Sequence, residues 1–255
     1  MSIIKPNRII THDGMFHADE VFAIAMVHTF VGPTVVFRTR NISEEDMNDP
    51  GVWVIDVGKD LNPAKRNFDH HQDGRISASC VLILDFLVQQ GVIDADLEEE
   101  LRSDMTAVSD IDRNGYTNGA SGFQVNGLIK SLNALSNGFD TALDICCKYM
   151  AAAYLSSLKA QKSHKIWANG FSPCEKVRQC SEYPVKWKKY PDACILVYPD
   201  KGRYNVVSKD SNEYPLVNVG RPHFFHASNF FAVFDREIEA VNCAMASVGE
   251  PWVIS

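Results

Sequence analysis

Histidines and aspartates that could ligate a divalent cation occur in four short clusters of the chain. The clusters are THDGMFHADE, VIDVG, FDHHQ and SDIDRNG. Their candidate ligands are His12, His17, Asp19, Asp56, Asp69, His70, His71, Asp110 and Asp112. Imidazole and carboxylate groups without thiolates favour Mn²⁺, Mg²⁺ or Fe²⁺ over a structural zinc ion.

The candidate ligands are too many for one octahedral ion. They predict two cations about 3.5–4 Å apart that share a bridging carboxylate. Asp56, alone at the end of its segment, is predicted to be that bridge. Such a pair activates water and neutralises charge on a phosphoryl oxygen, so the chemistry is that of phosphoester hydrolysis.

The elements around these clusters predict an α/β domain with a mostly parallel sheet. Strands are predicted at 7–12, 34–39 and 52–58, and a loop at 59–75. Helices are predicted at 21–30, 77–91, 94–112, 123–135 and 140–160. Alternation of strands and helices over the first 155 residues is typical of such a domain.

The four clusters are predicted to meet at one edge of this sheet. His12 and Asp56 fall at the carboxyl ends of predicted strands, where α/β proteins bind ligands. Taken singly, each cluster also has a structural explanation. His12 could be a structural strand-end residue, Asp19 a helix N-cap and the DHH sequence a solvated turn. Asp110 and Asp112 could be turn residues before RNG. Their joint position favours a metal site.

Composition limits the class of protein. A length of 255 residues allows one large domain or two smaller ones. Seven cysteines without a CxxC pair argue against a zinc ribbon and fit a reducing, cytoplasmic setting. MSIIKPNRII lacks the pattern of a secretory signal, and no segment is apolar enough to span a membrane. The net charge of −7 leaves room only for a local basic groove.

A change of composition near Lys159 predicts a first domain at 1–158 and a smaller α/β domain at 159–255. Residues 159–203 contain ten basic and four acidic residues with aromatic residues among them. They could bind phosphates and stack the bases of a single strand, or form a solvated basic face over core aromatics. A hairpin is predicted at 193–210 and a closing helix at 233–249.

Four residues near the end of the chain are candidate phosphate contacts from the second domain. They are Arg221, His223, His226 and Ser228. The alternative is a strand end whose polar side chains are satisfied locally.

The four motifs, in this order and at these spacings, resemble the DHH phosphoesterase superfamily. THDGMFHADE is similar to the first motif of one branch, the melanocyte-proliferating-gene (MYG) exonuclease family. HASNF, at 226–230, resembles the HASGF segment of that family. The chain departs from the family at Ala18, where cysteine is common, and at Asn229, where HASGF has glycine. It is also short for the family, and the missing length falls in the carboxy-terminal half.

The resemblance implies a two-domain α/β enzyme. Its DHH-type amino-terminal domain would hold two divalent cations, usually Mn²⁺ with Mg²⁺ as the alternative. Its smaller carboxy-terminal domain would close over the substrate across a cleft. The resemblance implies that His12, His17 and Asp19 are ligands of the first motif and that Asp56 is the bridging ligand.

The resemblance also assigns the third and fourth motifs. His70 would be a metal ligand that Asp69 supports, and Asp69 itself stays in the candidate ligand set. His71 would contact the scissile phosphate and could protonate the leaving oxygen. The fourth ligand would be Asp112 or Asp110, because Arg113 interrupts the DNG pattern of the family.

The expected activity is therefore that of a metal-dependent phosphodiesterase, a 3′–5′ exonuclease on RNA or short oligonucleotides. One alternative is a small-molecule phosphohydrolase acting on pyrophosphate or a cyclic or short nucleotide, which the acidic net charge favours slightly. Another is a non-catalytic metal-binding regulatory protein. That reading requires a lost ligand, and the candidate set has no gap. The partner expected is an RNA or oligonucleotide substrate and not a membrane.

Overall fold

The chain forms two compact units, residues 1–157 and residues 158–255, each with its own hydrophobic core. The structure, a computed structural model, describes residues 5–115 and 124–251. Both units mix helices and strands, which confirms the predicted α/β class. Among the described residues, no helix has the length and apolar character that a bilayer crossing requires.

The first unit contains a five-stranded sheet in the order β2-β1-β3-β5-β4. Its strands are β1 (Arg8–Thr11), β2 (Val35–Arg38), β3 (Val52–Ile55), β4 (Leu61–Asn62) and β5 (Asn67–Phe68). β1 runs parallel to β2 and β3, and β3 runs parallel to β5. Only the β4–β5 pair is antiparallel among these strands. The prediction of a mostly parallel sheet is confirmed.

The prediction of a continuous loop at 59–75 is wrong, because this segment contributes β4 and β5 to the sheet. Each strand has only two residues, too few for an alternating pattern in the sequence. Asn67 and Phe68 are fully buried, and Asn67 donates hydrogen bonds from its side chain to the Met47 carbonyl and to Asp60. Strand β5 is not predictable from sequence because asparagine is a residue type typical of loops.

The helices of the first unit pack against this sheet and against one another. They are α1 (Ala18–Met26), α2 (Glu44–Asn48), α3 (Ser79–Gln89), α4 (Ala95–Asn114) and α5 (Val125–Ser131). Every residue of α1 is buried, as its nearly all-apolar sequence predicts, and a π-helical turn follows at Val27–Val31. Helix α6 (Gly138–Ala168) runs beyond the predicted end at residue 160.

Helix α4 continues through Asn114, so the interpretation of Asp110 and Asp112 as turn residues is wrong. Gly115, with φ of +71°, follows the last turn of the helix. The chain between the predicted helices at 94–112 and 123–135 lies outside the described residues beyond Gly115.

The second unit contains a six-stranded sheet in the order β10-β11-β9-β8-β7-β6. The strands are β6 (Phe171–Cys174), β7 (Val177–Gln179), β8 (Ile195–Asp200), β9 (Arg203–Ser208), β10 (Phe224–Phe225) and β11 (Phe231–Phe234). β8 and β9 form the predicted hairpin, and Lys201 and Gly202 at its turn have positive φ. The closing helix α7 is shorter than predicted, Glu237–Ser247, because the apolar residues before it form β11.

Candidate metal centre

The candidate ligands of the first two motifs lie at the point where the strand order reverses. From β1 the sheet extends to β2 on one side and to β3 on the other. His12 follows β1 and Asp56 follows β3, at the carboxyl ends of these neighbouring parallel strands. In open α/β sheets this position is where ligands bind.

Asp56 has a left-handed backbone conformation, with φ of +59°. This conformation is uncommon outside glycine, although aspartate adopts it more readily than most residues. Two contacts hold the residue in place: its N–H donates to the Phe68 carbonyl at 3.1 Å, and the Ser79 hydroxyl lies 3.0 Å from Oδ1. The turn therefore sets a buried carboxylate at the strand end.

Three overlapping groups of ligand atoms surround this carboxylate. They are His12, His17, Glu20 and Asp56; then Asp56, His70 and His71; then His17, Asp19 and Asp112. Within each group, one ligand atom from every residue lies within 4.8 Å of the others. Asp56 belongs to two of the groups, as a shared carboxylate must.

Ring nitrogens of three histidines lie near the Asp56 carboxylate. His70 Nε2 lies 3.2 Å from Oδ1, and His12 Nε2 lies 3.4 Å from Oδ2. His71 Nδ1 lies farther away, 3.7 Å from Oδ1. The two oxygens of Asp56 thus face two different histidines.

Of the two fourth-motif candidates, Asp112 is the one that joins the cluster. Its Oδ2 lies 3.4 Å from His70 Nε2, and its Oδ1 lies 4.0 Å from His17 Nδ1. Asp19 Oδ2 lies 3.8 Å from the same His70 nitrogen. Asp110 is exposed on α4 and belongs to none of the three groups found among the described residues.

Asp69 is buried beside the cluster, but hydrogen bonds already occupy its oxygens. Oδ2 accepts from the backbone N–H of Lys59 at 2.6 Å. Oδ1 accepts from the backbone N–H groups of His70 and His71, and it lies 2.7 Å from His71 Nδ1. These contacts fit a residue that orients the neighbouring histidines and the turn after β3.

Glu20 is a member of the cluster that sequence reasoning missed. Its side chain is fully buried, and Oε1 lies 3.0 Å from His12 Nε2. Oε2 accepts from the His17 N–H at the start of α1 at 2.8 Å. His17 is therefore the N-cap residue, and the interpretation of Asp19 as the N-cap is wrong. The adjacent acidic pair in HADE was the available signal for a second carboxylate.

The histidines and carboxylates of the cluster shift one another's pKa in opposite directions. Burial opposes protonation of His12, but interactions with Asp56 and Glu20 outweigh it and raise its pKa to about 10. Burial likewise works against His70, yet Asp56 raises the net pKa of that ring. Burial opposes ionisation of Asp56, but His12 and His70 hold its pKa well below the usual range.

The other carboxylates resist ionisation without a cation. Burial, followed by the charges of Asp56 and Asp112, raises the pKa of Asp19 well above its usual value. Burial also raises the pKa of Glu20 against the opposing effect of His12. Asp112 has a raised pKa because of burial and the charge of Asp56. A buried group of like charges at this density requires compensating positive charge.

The donor set fits a pair of divalent cations. Several atoms that face the cluster are buried without a hydrogen-bond partner: both carboxylate oxygens of Asp19, Glu20 Oε1, Asp56 Oδ2 and His70 Nε2. Buried polar atoms are almost always hydrogen-bonded, so orphans concentrated at one place indicate an ion. Four carboxylates contribute a formal charge of −4, which two divalent cations would balance.

The loop between His12 and His17 is held by a residue distant in sequence. The Asn133 side chain accepts from the Phe16 N–H and donates to the Phe16 carbonyl, both at 2.9 Å. Arg38 adds a hydrogen bond to the Gly14 carbonyl at 2.9 Å. The first metal-binding loop is thus clamped by side chains from β2 and from the turn after α5.

The cluster opens into a cavity of about 160 Å³. Histidines His12, His17 and His71 line it together with two basic residues, Arg40 and Lys59. The His71 side chain is 51% exposed, whereas those of His12 and His70 are buried. His71 is therefore the ring of the DHH sequence that solvent and substrate can reach.

The predicted phosphate contacts of the second unit lie around β10 and the turn that follows it. Arg221, His223 and Ser228 are exposed, and His226 is partly buried. His226 Nδ1 accepts from the Ser228 N–H at 3.1 Å. Their role in substrate binding stays a prediction.

The basic and aromatic segment at 159–203 combines core and surface residues. Trp167 and Trp187 are buried in a core cluster, and Trp167 stacks on Tyr190 with ring centroids 4.5 Å apart. Phe171 and Tyr183 are exposed. Base stacking by this whole set is therefore not available, because Trp167, Trp187 and Tyr190 pack against one another.

The α/β unit gathers histidines and carboxylates at the switch point of its parallel sheet, and this arrangement defines a candidate divalent-metal site. The family model MYG1_exonuc, described as an uncharacterised protein family (UPF0160), matches residues 8–78, which include the first three motifs. The predicted resemblance to the MYG exonuclease family is confirmed over this segment. The model does not extend to HASNF at 226–230.

Relatives match the chain over part of its length. The MYG1 protein of Chlamydia muridarum is 33% identical over 141 residues, which are 53% of this chain and 48% of that protein. The MYG1 exonuclease of Rattus norvegicus is 36% identical over 73 residues, 28% of this chain and 18% of that protein. The chain thus spans about half the length of the chlamydial relative and less of the mammalian one.

Two solved structures show weak overall similarity. A pGpG-specific phosphodiesterase, PggH from Vibrio cholerae, has a TM-score of 0.37 at 11% identity and covers 83% of this chain and 86% of its own. RecJ from Thermus thermophilus, in complex with Mg²⁺, has a TM-score of 0.30 at 12% identity, covering 97% of this chain and 50% of its own.

Proposed function

We propose that this chain is a divalent-metal-dependent phosphodiesterase whose site is the histidine–carboxylate cluster around Asp56. The observation that carries the proposal is the set of buried, unpartnered ligand atoms that point into this cluster. Relatives named MYG1 exonuclease support the same reading for the matched segment.

The proposed cofactors are two divalent cations, Mn²⁺ in preference to Mg²⁺. His12, His17 and Asp56 would hold one of them. Asp19, His70 and Asp112 would hold the other and share Asp56 with the first. When bound, the two cations supply Lewis-acid activation of water and neutralise charge on the phosphoryl group.

His71 is proposed to act on the substrate and not on the metals. Because its Nδ1 lies 2.7 Å from Asp69 Oδ1, that carboxylate favours the tautomer with the proton on Nδ1. Nε2 then remains to contact a phosphoryl oxygen or, when protonated, to deliver a proton to the leaving oxygen. A general acid so positioned contributes roughly 10²–10⁴-fold to the rate.

The proposed substrate is RNA or a short oligonucleotide, degraded from its 3′ end. Arg221, His223, His226 and Ser228 would contribute phosphate contacts from the second unit.

Cytoplasmic location is also proposed, since all seven cysteines are free and fit a reducing compartment.

A small-molecule phosphohydrolase is the second candidate. The cavity over the cluster has a volume of about 160 Å³, a size that suits pyrophosphate or a single phosphodiester group. The acidic net charge of −7 also suits a short substrate better than extended contact with a polymer.

The test is Mn²⁺-dependent hydrolysis of a short RNA labelled at its 5′ end, with pyrophosphate assayed alongside. We expect a ladder that shortens from the 3′ end and that disappears in His70→Ala. Phosphate release from pyrophosphate with intact RNA would favour the second candidate. Absence of turnover on both, by a chain that binds Mn²⁺, would favour a non-catalytic regulatory protein.

A further inference from the structure

Glu20 is a buried carboxylate in the metal cluster that none of the expected ligand roles uses. We propose that Glu20 Oε1 is a direct ligand of the cation held by His12, His17 and Asp56. This inference rests on the proposed function and adds a fourth protein ligand to one of its two metal positions.

The two carboxylate oxygens of Glu20 differ in their hydrogen bonding. Oε2 is satisfied, because it accepts from the His17 N–H at 2.8 Å. Oε1 is buried, makes no hydrogen bond of normal geometry and has His12 Nε2 3.0 Å away. The bond to the helix start fixes the side chain, so the free oxygen is held in one position and faces His12.

The hydrogen bonding of His12 determines which of its ring nitrogens can bind a cation. Its Nδ1 lies 2.9 Å from the Asp13 carbonyl, which can only accept, so Nδ1 carries a proton. Nε2, whose proton a cation would displace, is then the nitrogen that can act as a ligand. Metal-bound histidines commonly donate their other ring N–H to a carbonyl in this way.

The distances between Glu20, His12 and Asp56 match those between ligands of one cation. Glu20 Oε1 lies 3.0 Å from His12 Nε2, and Asp56 Oδ2 lies 3.4 Å from the same nitrogen. Adjacent ligands of an octahedral ion with bonds of about 2.0–2.1 Å are roughly 3 Å apart. His12, Glu20 and Asp56 therefore present their atoms at the spacing of neighbouring ligands.

The alternative is that Glu20 only caps α1 and orients His17. Two substitutions separate these roles. Glu20→Gln keeps an oxygen that can accept from His17 but removes the negative charge that a cation needs. Glu20→Asp keeps the charge on a shorter side chain. Asp94→Asn is the matched control, because Asp94 caps α4 through a hydrogen bond from the Leu97 N–H at 3.0 Å.

The experiment is calorimetric titration of each chain with Mn²⁺ alone, with folding checked by circular dichroism. We expect two Mn²⁺ in the wild type and in Asp94→Asn. In Glu20→Gln we expect one site to weaken by at least ~10-fold, because loss of even an outer-shell partner of a metal ligand costs roughly 10–100-fold. Glu20→Asp should lose less affinity than Glu20→Gln.

Wild-type affinity at both sites of a folded Glu20→Gln would overturn the inference and leave the proposed function intact. Should Glu20→Gln fail to fold, Glu20→Asp decides: unaltered binding at both sites overturns the inference, and selective weakening of one site supports it. A wild-type chain that binds no Mn²⁺ would overturn the proposed function and this inference together.

Discussion

Asp69 and His71 show how two residues of one short motif take different roles. Asp69 accepts hydrogen bonds from three backbone N–H groups, which leaves its carboxylate occupied. His71 contacts Asp69 through Nδ1, and about half of its side chain is exposed to solvent. His70, between them, turns Nε2 toward Asp56. In the proposed site the motif would therefore combine support, metal ligation and substrate contact in three consecutive positions.

His71→Ala separates catalysis from metal binding. We expect Mn²⁺ affinity to change by less than ~3-fold and turnover to fall roughly 10²–10⁴-fold, because a general acid is lost. Calorimetry and RNA hydrolysis measure the two quantities on the same preparation. Loss of both Mn²⁺ ions in the variant would show that His71 is a ligand instead.

Sequence reasoning found most residues of the site because strand ends and motifs mark them. It left Asp110 and Asp112 open, although the helical repeat carried the answer. Leu101, Met105 and Val108 are buried on α4, and Asp112 continues that stripe at the next position four residues on. Asp110 lies on the exposed side. Glu20 was missed because an acidic residue in the first turn of a helix has an ordinary explanation in the helix dipole.

At the level of elements, the switch point between β1 and β3 brings the motifs together, and Asn133 holds the loop after β1. Asn133→Ala removes both hydrogen bonds to Phe16. We expect the free energy of unfolding to fall by about 1–3 kcal/mol and Mn²⁺ affinity to fall about 10-fold. Denaturant unfolding and calorimetry measure these changes.

The control is Ser136→Ala, a truncation at an exposed position of the same segment. Asn133→Asp keeps the acceptor for the Phe16 N–H and should lie between the alanine variant and the wild type. Unchanged Mn²⁺ affinity in Asn133→Ala, despite lower stability, would show that the loop keeps its geometry without the clamp.

Elements with strong periodicity were predictable, and those defined by tertiary contacts were not. The buried strand β3 and helix α1 follow from apolar sequence alone. The two-residue strands exist because β5 pairs with the parallel strand β3 and β4 pairs with β5, which local sequence does not show. The predicted closing helix began at Val233, inside β11, because VF at 233–234 continues directly into the helical sequence.

At the scale of the whole molecule, we expect Mn²⁺ to stabilise the first unit and not the second. The buried carboxylates of the first unit repel one another, and a cation that binds the folded state relieves this repulsion. Mn²⁺ at 100 times its dissociation constant should add about 2.7 kcal/mol of stability for each independent site.

Hydrogen exchange with Mn²⁺ or with EDTA measures this effect in each unit separately. We expect slower exchange in β1 and β3 with Mn²⁺ and little change in β8 and β9, which lie in the other unit. Equal protection of both units would mean that the cation binds elsewhere or that the units unfold together.

The central claim is a pair of cations that share Asp56. An anomalous difference map at the manganese edge, from crystals grown with Mn²⁺, tests it most directly. We expect two peaks about 3.5–4 Å apart, one on each side of the Asp56 carboxylate. A single peak, or peaks away from Asp56, would contradict it.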